Sequence, residues 1–346
     1  MEKGKARIKE QIKDRIKKQG MITGIDAVRF VAALCVVAIH SFMEYQNITD
    51  AYTVRILTRW AVPFFFVVTG YFLKEDVKRF AGFFARIFLE YVFFTIIYAI
   101  LCHEDIFSPW RFFSALRSGI IMPFWYFPTL LMCMTFVWVL IKTVKKWQII
   151  VAICAALFLM ALMGHTYANL QAFGFFQQSI IMKVHHRVIG EVTTRDGIFW
   201  GSLFISIGYA LRKKGEEPGR RDWTLPKKII WLSVSFILSV AEICLIVYFH
   251  TGGKDITVFT IPVVILLFSI ALEMRIPKSI GEYLRYTGNG VFLIHYFFLE
   301  LFMKRGYLSA PLFLLTLAAS VLMAGIYAAC KCYIKTKQAR SRQTLH

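Results

Sequence analysis

Two polar side chains, Arg29 and His40, lie inside an otherwise apolar stretch, GIDAVRFVAALCVVAIHSF, at residues 24–42. In an α-helix their spacing puts both on one face, about 16 Å apart along the axis. A charged side chain in a membrane helix is costly and usually faces a partner or a water-filled cavity. Histidine can accept a proton near neutral pH, and arginine binds anions. The pair therefore predicts a polar site that runs through the bilayer.

The rest of the chain is too apolar to fold in water. Hydrophobic residues make up 58% of the 346 residues, and the mean hydropathy is +0.58. A soluble protein of this length cannot bury that much apolar surface, so lipid must cover part of it. The predicted fold class is an all-α, polytopic membrane protein with about ten transmembrane helices. The predicted spans are 22–43, 54–73, 83–101, 125–142, 147–163, 196–211, 228–249, 257–273, 285–303 and 310–332.

Basic residues alternate between the two sides of this predicted bundle. Thirty of the 41 Lys and Arg residues lie in the termini and loops of one side, and eight lie on the other. Loops rich in Lys and Arg stay in the cytoplasm, so both termini are predicted to be cytoplasmic. The net charge of +20 is therefore a signal of topology. No nucleic-acid-binding module accompanies it, so the expected partner is the lipid bilayer rather than a nucleic acid.

The chain divides into one membrane domain and two short basic segments. Residues 1–20 are predicted to form a basic amphipathic helix on the inner leaflet. The membrane domain covers 21–333, and 334–346 form a basic cytoplasmic tail. The seven cysteines are scattered, with no CxxC pair and no Cys/His cluster at zinc spacing, so no metal site is expected.

Several sequence motifs share one pattern. Arg29 and His40 are separated by ten residues, and further motifs are RWAVPFFFVVTGYFL (59–73), FWYFPTLLM (124–132), TTRDGIFWGSLFISIGYAL (193–211) and YTGNGVFLIHYFFLEL (286–301). Together they resemble the acyltransferase-3 family of ten-helix membrane acyltransferases. Thr69 stands where a serine is common in that family. The resemblance extends from residue 22 to about residue 332.

Two features depart from the common family pattern. Many members carry an RxxR pair at the start of the third helix, whereas here Arg86 is followed at that spacing by Leu89 and then by Glu90. This weakens the case for a paired-arginine phosphate clamp. The TTRDG motif also resembles the membrane half of vancomycin-resistance serine racemases, which join a related membrane domain to a soluble racemase.

The resemblance implies an enzyme that moves an acyl group, commonly acetyl, from cytoplasmic acyl-CoA to a hydroxyl of an extracytoplasmic envelope glycan or small acceptor. No bound cofactor is expected, because acyl-CoA is the donor substrate, and the expected location is a bacterial plasma membrane. An alcohol needs a base near pH 7, so His40 is the candidate catalytic base. The alternative is a satisfied buried histidine. Arg29 is a candidate to bind the donor, and a structural pair with Asp26 is the alternative.

Three further residues near the ends of these helices are weaker candidates. Glu44 follows His40 by four positions and is a candidate to orient the imidazole, or else a solvated acid. Arg59 is a candidate to stabilise an oxyanion, or else an interfacial anchor. Arg86 is a candidate for the CoA phosphates, or else a cytoplasmic charge.

Residues near the predicted outer face are candidates for the acceptor. Arg195 and Asp196 precede the sixth span, where a local ion pair or helix cap is the alternative. Trp125 and Tyr126 are either interfacial aromatic residues or stacking surfaces for a sugar ring. His295, in the ninth span, is expected to be a packed polar residue rather than a catalyst.

A second function from another class remains open on the sequence. Intramembrane charges also mark solute pathways, so Arg29 and His40 are compatible with transport or supply of an amino acid such as L-serine. Inverted repeats with broken helices would favour a transporter, and none is evident in the sequence. Acyl transfer is therefore the preferred hypothesis.

Overall fold

The computed structural model describes residues 23–42, 48–101, 124–189, 194–216 and 223–343. Within these segments the regular structure is helical. The main helices are α1 (Thr23–Ser41), α2 (Ile48–Thr58), α3 (Ala61–Phe72), α4 (Val77–Leu101), α5 (Tyr126–Val144), α6 (Trp147–Ala161), α7 (Gly174–Gln177), α8 (Ile180–Ile189), α9 (Gly201–Gly215), α10 (Leu225–Tyr248), α11 (Thr260–Glu273), α12 (Lys278–Met303) and α13 (Ser309–Gln343). A π-helical turn, Leu162–Thr166, continues α6, and a 3₁₀ turn lies at Gln171–Phe173.

The all-helical fold class is confirmed for the described segments, and six of their helices are long and apolar enough to cross a membrane. These are α1, α4, α5, α6 with its π-helical extension, α10 and α13. The predicted span 54–73 is instead broken at Arg59 and Trp60 into α2 and α3. Helices α9 and α11 are shorter than a full span, and α12 carries more polar residues. The total of ten spans stays a prediction.

Helix α1 lies among α2, α3, α11, α12 and α13, so its polar side chains face other helices. Small residues let the neighbouring backbones approach closely. A Cβ atom on Gly70 of α3 would lie 1.9 Å from the Ile205 carbonyl oxygen of α9. A Cβ atom on Gly208 would lie 2.0 Å from the Val67 carbonyl oxygen. Only glycine fits at these two positions, which lock α3 against α9.

Contacts between helix ends sort into two groups at opposite faces of the bundle. At one face the Thr23 hydroxyl donates to the Ile276 carbonyl at 2.8 Å, and Lys213 Nζ lies 2.7 Å from Glu75. All four residues lie at ends predicted to be cytoplasmic. The loops predicted on the other side meet around Asp255, as described below. The contacts therefore agree with alternating helix directions, while the cytoplasmic orientation of the termini stays a prediction.

The basic terminal segments differ in how far the structure reaches into them. Residues 1–20 lie outside the described part of the chain, so the predicted amphipathic helix is not tested. At the other end α13 continues to Gln343. The predicted tail at 334–346 therefore begins as an extension of the last helix.

Candidate functional site

The last turn of α1 brings His40 against another histidine. His40 is half-buried, and its ring stacks on His295 of α12 with 5.5 Å between centroids and 29° between planes. Tyr296 approaches the His40 ring edge-on at 6.4 Å. His295 is fully buried. His295, which the sequence predicted to be only a packed polar residue, thus lies directly beside the candidate catalytic base.

Several charged side chains converge on Asp255, in the loop between α10 and α11. Arg59 pairs with its Oδ1 atom, and Arg195 Nη1 donates to its Oδ2 atom at 3.0 Å. His165 Nε2 lies 3.7 Å from the same carboxylate, and Arg195 also pairs with Asp196 at 3.4 Å. We call these five residues the Asp255 cluster. Four separate chain segments meet there, so the cluster holds one face of the bundle together.

The electrostatics of the Asp255 cluster are dominated by the ion pairs. Burial raises the pKa of Asp255, but the Arg59 guanidinium, with help from His165 and Arg195, holds that pKa well below its usual range. Burial lowers the pKa of Arg195, but Asp196 and Asp255 together raise it above its usual value. Both groups are therefore charged across the physiological pH range.

Cationic side chains near the Asp255 cluster also influence the charge of His40, the candidate catalytic base. The Arg55 and Arg195 guanidinium groups are near enough to His40 to interact with its charge. Arg195 in turn lies over the Trp125 ring, 4.5 Å from its centroid. His40 thus stacks on His295 and lies within electrostatic reach of two guanidinium groups.

The structure separates Trp125 from its neighbour Tyr126, although the sequence predicted similar places for them. Trp125 is half-buried beside Arg195, at the edge of the Asp255 cluster. Tyr126 is instead buried in the core, 5.1 Å from the Phe66 ring, with its hydroxyl hydrogen-bonded to Thr69. The expectation of an interfacial Tyr126 is therefore wrong, because aromatic side chains cover its ring, while its role at the acceptor stays a prediction.

A second, smaller group of polar side chains surrounds Arg29. Its Nη2 atom donates to Asn289 Oδ1 on α12 at 2.9 Å, and its Nη1 atom lies 3.7 Å from Asp26. Glu90 of α4 is within electrostatic reach of both Arg29 and Arg86. We call Asp26, Arg29, Glu90 and Asn289 the Arg29 cluster. The alternative structural pair with Asp26 therefore exists, and it is compatible with a binding role.

Arg86 itself lies exposed on α4, outside this cluster. The Tyr126 ring lies within electrostatic reach of Arg29 and close to the aromatic core. Tyr126 is therefore near the Arg29 cluster, and its ring packs against Phe292, the residue three positions before His295. Glu44, a candidate to orient His40, lies outside the described residues, so that role is not tested.

Sequence reasoning missed the parts that Asp255 and Asn289 play in these sites, and it gave His295 no part in them. Each reaches its site from a segment that is distant in sequence. The spacing of residues within one helix does not predict such a contact. A partial signal existed for Asn289, which is a polar residue between glycines inside a predicted span. An intramembrane polar residue is a functional hypothesis by default.

The chain is similar to known proteins over most of its length. The acyltransferase-3 family model, described as an acyltransferase domain, matches residues 22–330. An amino-acid racemase from Enterococcus faecalis is 27% identical over 282 residues, which cover 76% of this chain and 38% of that protein. A serine/alanine racemase from Enterococcus gallinarum is 28% identical over 273 residues, which cover 73% of this chain and 37% of that protein. The chain thus aligns with under two fifths of either relative. No solved structure gives a significant match.

Proposed function

This chain belongs to the acyltransferase-3 family, and from that premise we propose that it transfers an acyl group from acyl-CoA to a hydroxyl acceptor across the membrane. Acetyl is the proposed acyl group, and an extracytoplasmic envelope glycan or small hydroxylated molecule is the proposed acceptor. The observation that carries the proposal is the placement of His40, a base, within electrostatic reach of the guanidinium groups of Arg55 and Arg195. Acyl transfer to an alcohol requires a base for the hydroxyl proton and fixed cations near the reacting carbonyl.

His40 supplies the proton chemistry in this proposal. One of its ring nitrogens takes the proton of the acceptor hydroxyl as the oxygen attacks the thioester carbonyl carbon. A carbon–oxygen bond forms and the carbon–sulfur bond breaks. The departing CoA sulfur takes the proton back from the imidazolium. The products are an acyl ester and CoA thiol, and the base is restored.

The cations near His40 act on the charge that develops during this step. The carbonyl oxygen becomes negative in the tetrahedral intermediate, and preorganised cations stabilise such a charge strongly. Arg195 is held by Asp196 and Asp255, so its position is fixed before the reaction. Arg59 is paired with Asp255 and serves mainly to hold that carboxylate. This assigns the direct electrostatic role to Arg195 and Arg55 rather than to Arg59.

The Arg29 cluster is the proposed donor end. Acyl-CoA is anionic and is made in the cytoplasm, and the charge alternation of the loops predicts that the Arg29 end faces the cytoplasm. Arg29 is only partly neutralised by the more distant Asp26, so it can still bind an anion. Exposed Arg86 adds a second cation on the same side. The donor would enter here and extend its acyl end past Tyr126 toward His40.

The predicted orientation in the cell membrane has a direct test. Lys214 and Lys304 are both exposed and lie at opposite faces of the bundle. In intact cells a membrane-impermeant thiol reagent should label a Lys304→Cys variant but not a Lys214→Cys variant. Labelling of both variants in permeabilised cells is the control. The reverse pattern in intact cells would place the donor end outside and contradict the proposal.

The proposed reaction is tested most directly with the purified chain in proteoliposomes. With labelled acetyl-CoA inside and candidate acceptors outside, we expect label to appear in an ester of an external acceptor. Mass spectrometry of envelope glycans from cells with and without the protein identifies that acceptor. Acetyl-CoA hydrolysis without ester formation, for every acceptor class found in the envelope, would contradict the proposal.

A second candidate function is supply of an amino acid across the membrane. It is favoured by the names of two relatives, an amino-acid racemase and a serine/alanine racemase, which this chain matches over 282 and 273 residues. The guanidinium groups near His40 also suit a carboxylate ligand. Uptake of labelled L-serine by the same proteoliposomes, without acetyl-CoA, distinguishes this function from acyl transfer.

A further inference from the structure

The protonation of His295 is fixed by the backbone of its own helix. Its Nδ1 atom lies 2.9 Å from the Phe292 carbonyl oxygen and 3.1 Å from that of Val291. Carbonyl oxygens only accept hydrogen bonds, so Nδ1 must carry the proton. In the neutral ring Nε2 is then left with its lone pair. His295 therefore offers an acceptor nitrogen on the side of the ring away from the backbone.

This acceptor nitrogen is buried and unused within the described part of the protein. Nε2 of His295 has no hydrogen-bond partner there, although it is shielded from solvent. Buried polar atoms are nearly always satisfied, and exceptions call for an explanation. The ring next to it is that of His40, stacked at 5.5 Å. A turn of the half-buried His40 ring would bring an N–H group toward the His295 nitrogen.

A tyrosine from another helix bonds to the backbone of α12 at this turn. The Tyr98 hydroxyl donates to the Leu293 carbonyl at 2.8 Å and accepts from the Phe297 N–H at 3.1 Å. Leu293 and Phe297 are four residues apart and would pair with each other in a regular helix. Insertion of a side chain into this ladder is a known cause of local helix distortion. Tyr98 thus braces, from α4, the turn that presents His295 to His40.

We infer that His295 is a positioning residue for the catalytic base and that Tyr98 holds it in place. His295 Nε2 accepts a hydrogen bond from one ring nitrogen of His40, which leaves the other nitrogen free to take the acceptor's proton. The same bond stabilises the His40 imidazolium until the proton passes to the CoA sulfur. The inference rests on the proposed acyl transfer. Catalytic hydrogen bonds are often long in ligand-free structures and tighten when substrate binds.

Two substitutions at His295 separate this role from a purely structural one. The amide nitrogen of His295→Asn can replace Nδ1 and keep the bond to the helix carbonyls, but nothing replaces Nε2. The amide oxygen of His295→Gln reaches the place of Nε2 and can accept from His40. We expect the Asn variant to lose about 10²-fold in kcat with little change in KM, as for a misplaced catalytic group. The Gln variant should recover much of that loss.

The outcomes of this experiment are distinct. Wild-type kcat in the Asn variant, or equal losses in the Asn and Gln variants, would overturn the positioning role. The proposed function fails in a different way, because the wild-type protein would then form no acyl ester and His40→Ala would change nothing. Thermal unfolding of each variant in detergent shows whether the fold is retained.

Tyr98→Phe gives an independent measurement that leaves both histidines in place. We expect kcat to fall about tenfold, because this turn of α12 loses its brace and His40 loses its fixed partner. Tyr91→Phe is the matched control, since Tyr91 is also a buried tyrosine of α4 but its ring stacks on Phe127 of α5. The control should keep the wild-type kcat. An equal kcat in the Tyr98 and Tyr91 variants would overturn the inference.

Discussion

Arg59 and Arg29 both lie within the helical bundle but are compensated in different ways. Arg59 shares the Asp255 carboxylate with Arg195, and its side chain is 11% exposed. Arg29 is 26% exposed and has a neutral amide, Asn289, as its hydrogen-bonded partner, while the Asp26 carboxylate lies farther away at 3.7 Å. A cation paired with a carboxylate is held rigidly in the fold, whereas one held by an amide keeps more of its charge available to an anion. The Asp255 cluster therefore acts as a structural frame, which also fixes the position of Arg195, and the Arg29 cluster is the proposed binding site.

The largest effect is expected at His40, the proposed catalytic base. We expect His40→Ala to lower kcat/KM for acyl transfer by about 10²–10⁴-fold, because a positioned general base is lost. The thermal unfolding midpoint should change little, since the side chain is only half-buried. Steady-state assays with labelled acetyl-CoA measure the rate.

The matched control for this prediction is His250→Asn. His250 is exposed and has a positive φ of 50°, a conformation that asparagine tolerates well. This variant should keep wild-type activity. If His40→Ala retained acyl transfer but lost uptake of labelled serine, the transport function would replace the transferase function.

The frame role of the Asp255 cluster predicts a large loss of stability. Asp255→Asn leaves Arg59 and Arg195 without their shared carboxylate, and breaking one side of a buried pair costs about 3–5 kcal/mol. Because the Asp255 side chain is 28% exposed, we expect the lower end of that range. Thermal unfolding in detergent measures the loss. Glu216→Gln, at a side chain that is 51% exposed, is the control and should be nearly neutral.

The same cluster predicts how stability depends on acid. The folded pKa of Asp255 lies well below the ordinary value, so its contribution is complete above an unfolded pKa of about 3.9 and is lost as pH falls through the folded value. The wild-type unfolding midpoint should therefore drop as pH is lowered below about 4. The Asp255→Asn variant should show a shallower drop. Parallel curves of unfolding midpoint against pH for the two proteins would show that Asp255 does not cause the acid dependence.

The sequence predicted the helical fold and the Arg29–His40 axis because both depend on local periodicity. Apolar runs and an i to i+11 spacing are visible within one helix. The residues that contact the site residues from other helices and loops could not be predicted in this way. Asp255 reaches Arg59 across almost 200 positions, and His295 reaches His40 from a different helix. Tyr126 was misplaced because an aromatic residue near a span end looks the same whether it faces lipid or core.

The binding role of the Arg29 cluster predicts a selective effect on the donor. Arg29→Ala should lower kcat/KM for acetyl-CoA by about 10-fold or more, since a hydrogen bond to a charged group is worth about 1.5–3 kcal/mol. The acceptor KM should change much less. Exposed Arg86→Ala should give a smaller change in the same direction. Initial rates at varied donor and acceptor concentrations separate the two effects.

Arg79→Ala is the matched control, because Arg79 is also an exposed arginine of α4, seven positions before Arg86. It should leave both KM values unchanged. Equal changes in donor and acceptor KM for Arg29→Ala would mean that Arg29 supports the fold, and the difference between the two clusters would disappear.

The smallest expected effect concerns Glu75, at the same face of the bundle as the Arg29 cluster. Burial raises its pKa, but the hydrogen bond and charge of Lys213, with Arg212, bring it below the usual value. The Glu75 side chain is 44% exposed, so solvent screens this ion pair. Exposed pairs contribute about 0–1 kcal/mol, and salt weakens them further.

We expect Glu75→Gln to lower the unfolding midpoint slightly at low salt and not at all at high salt. The loss in Asp255→Asn should persist at both salt concentrations, because buried pairs are screened much less. A salt-independent loss at Glu75 as large as that at Asp255 would show that both faces are held by ion pairs of the same kind.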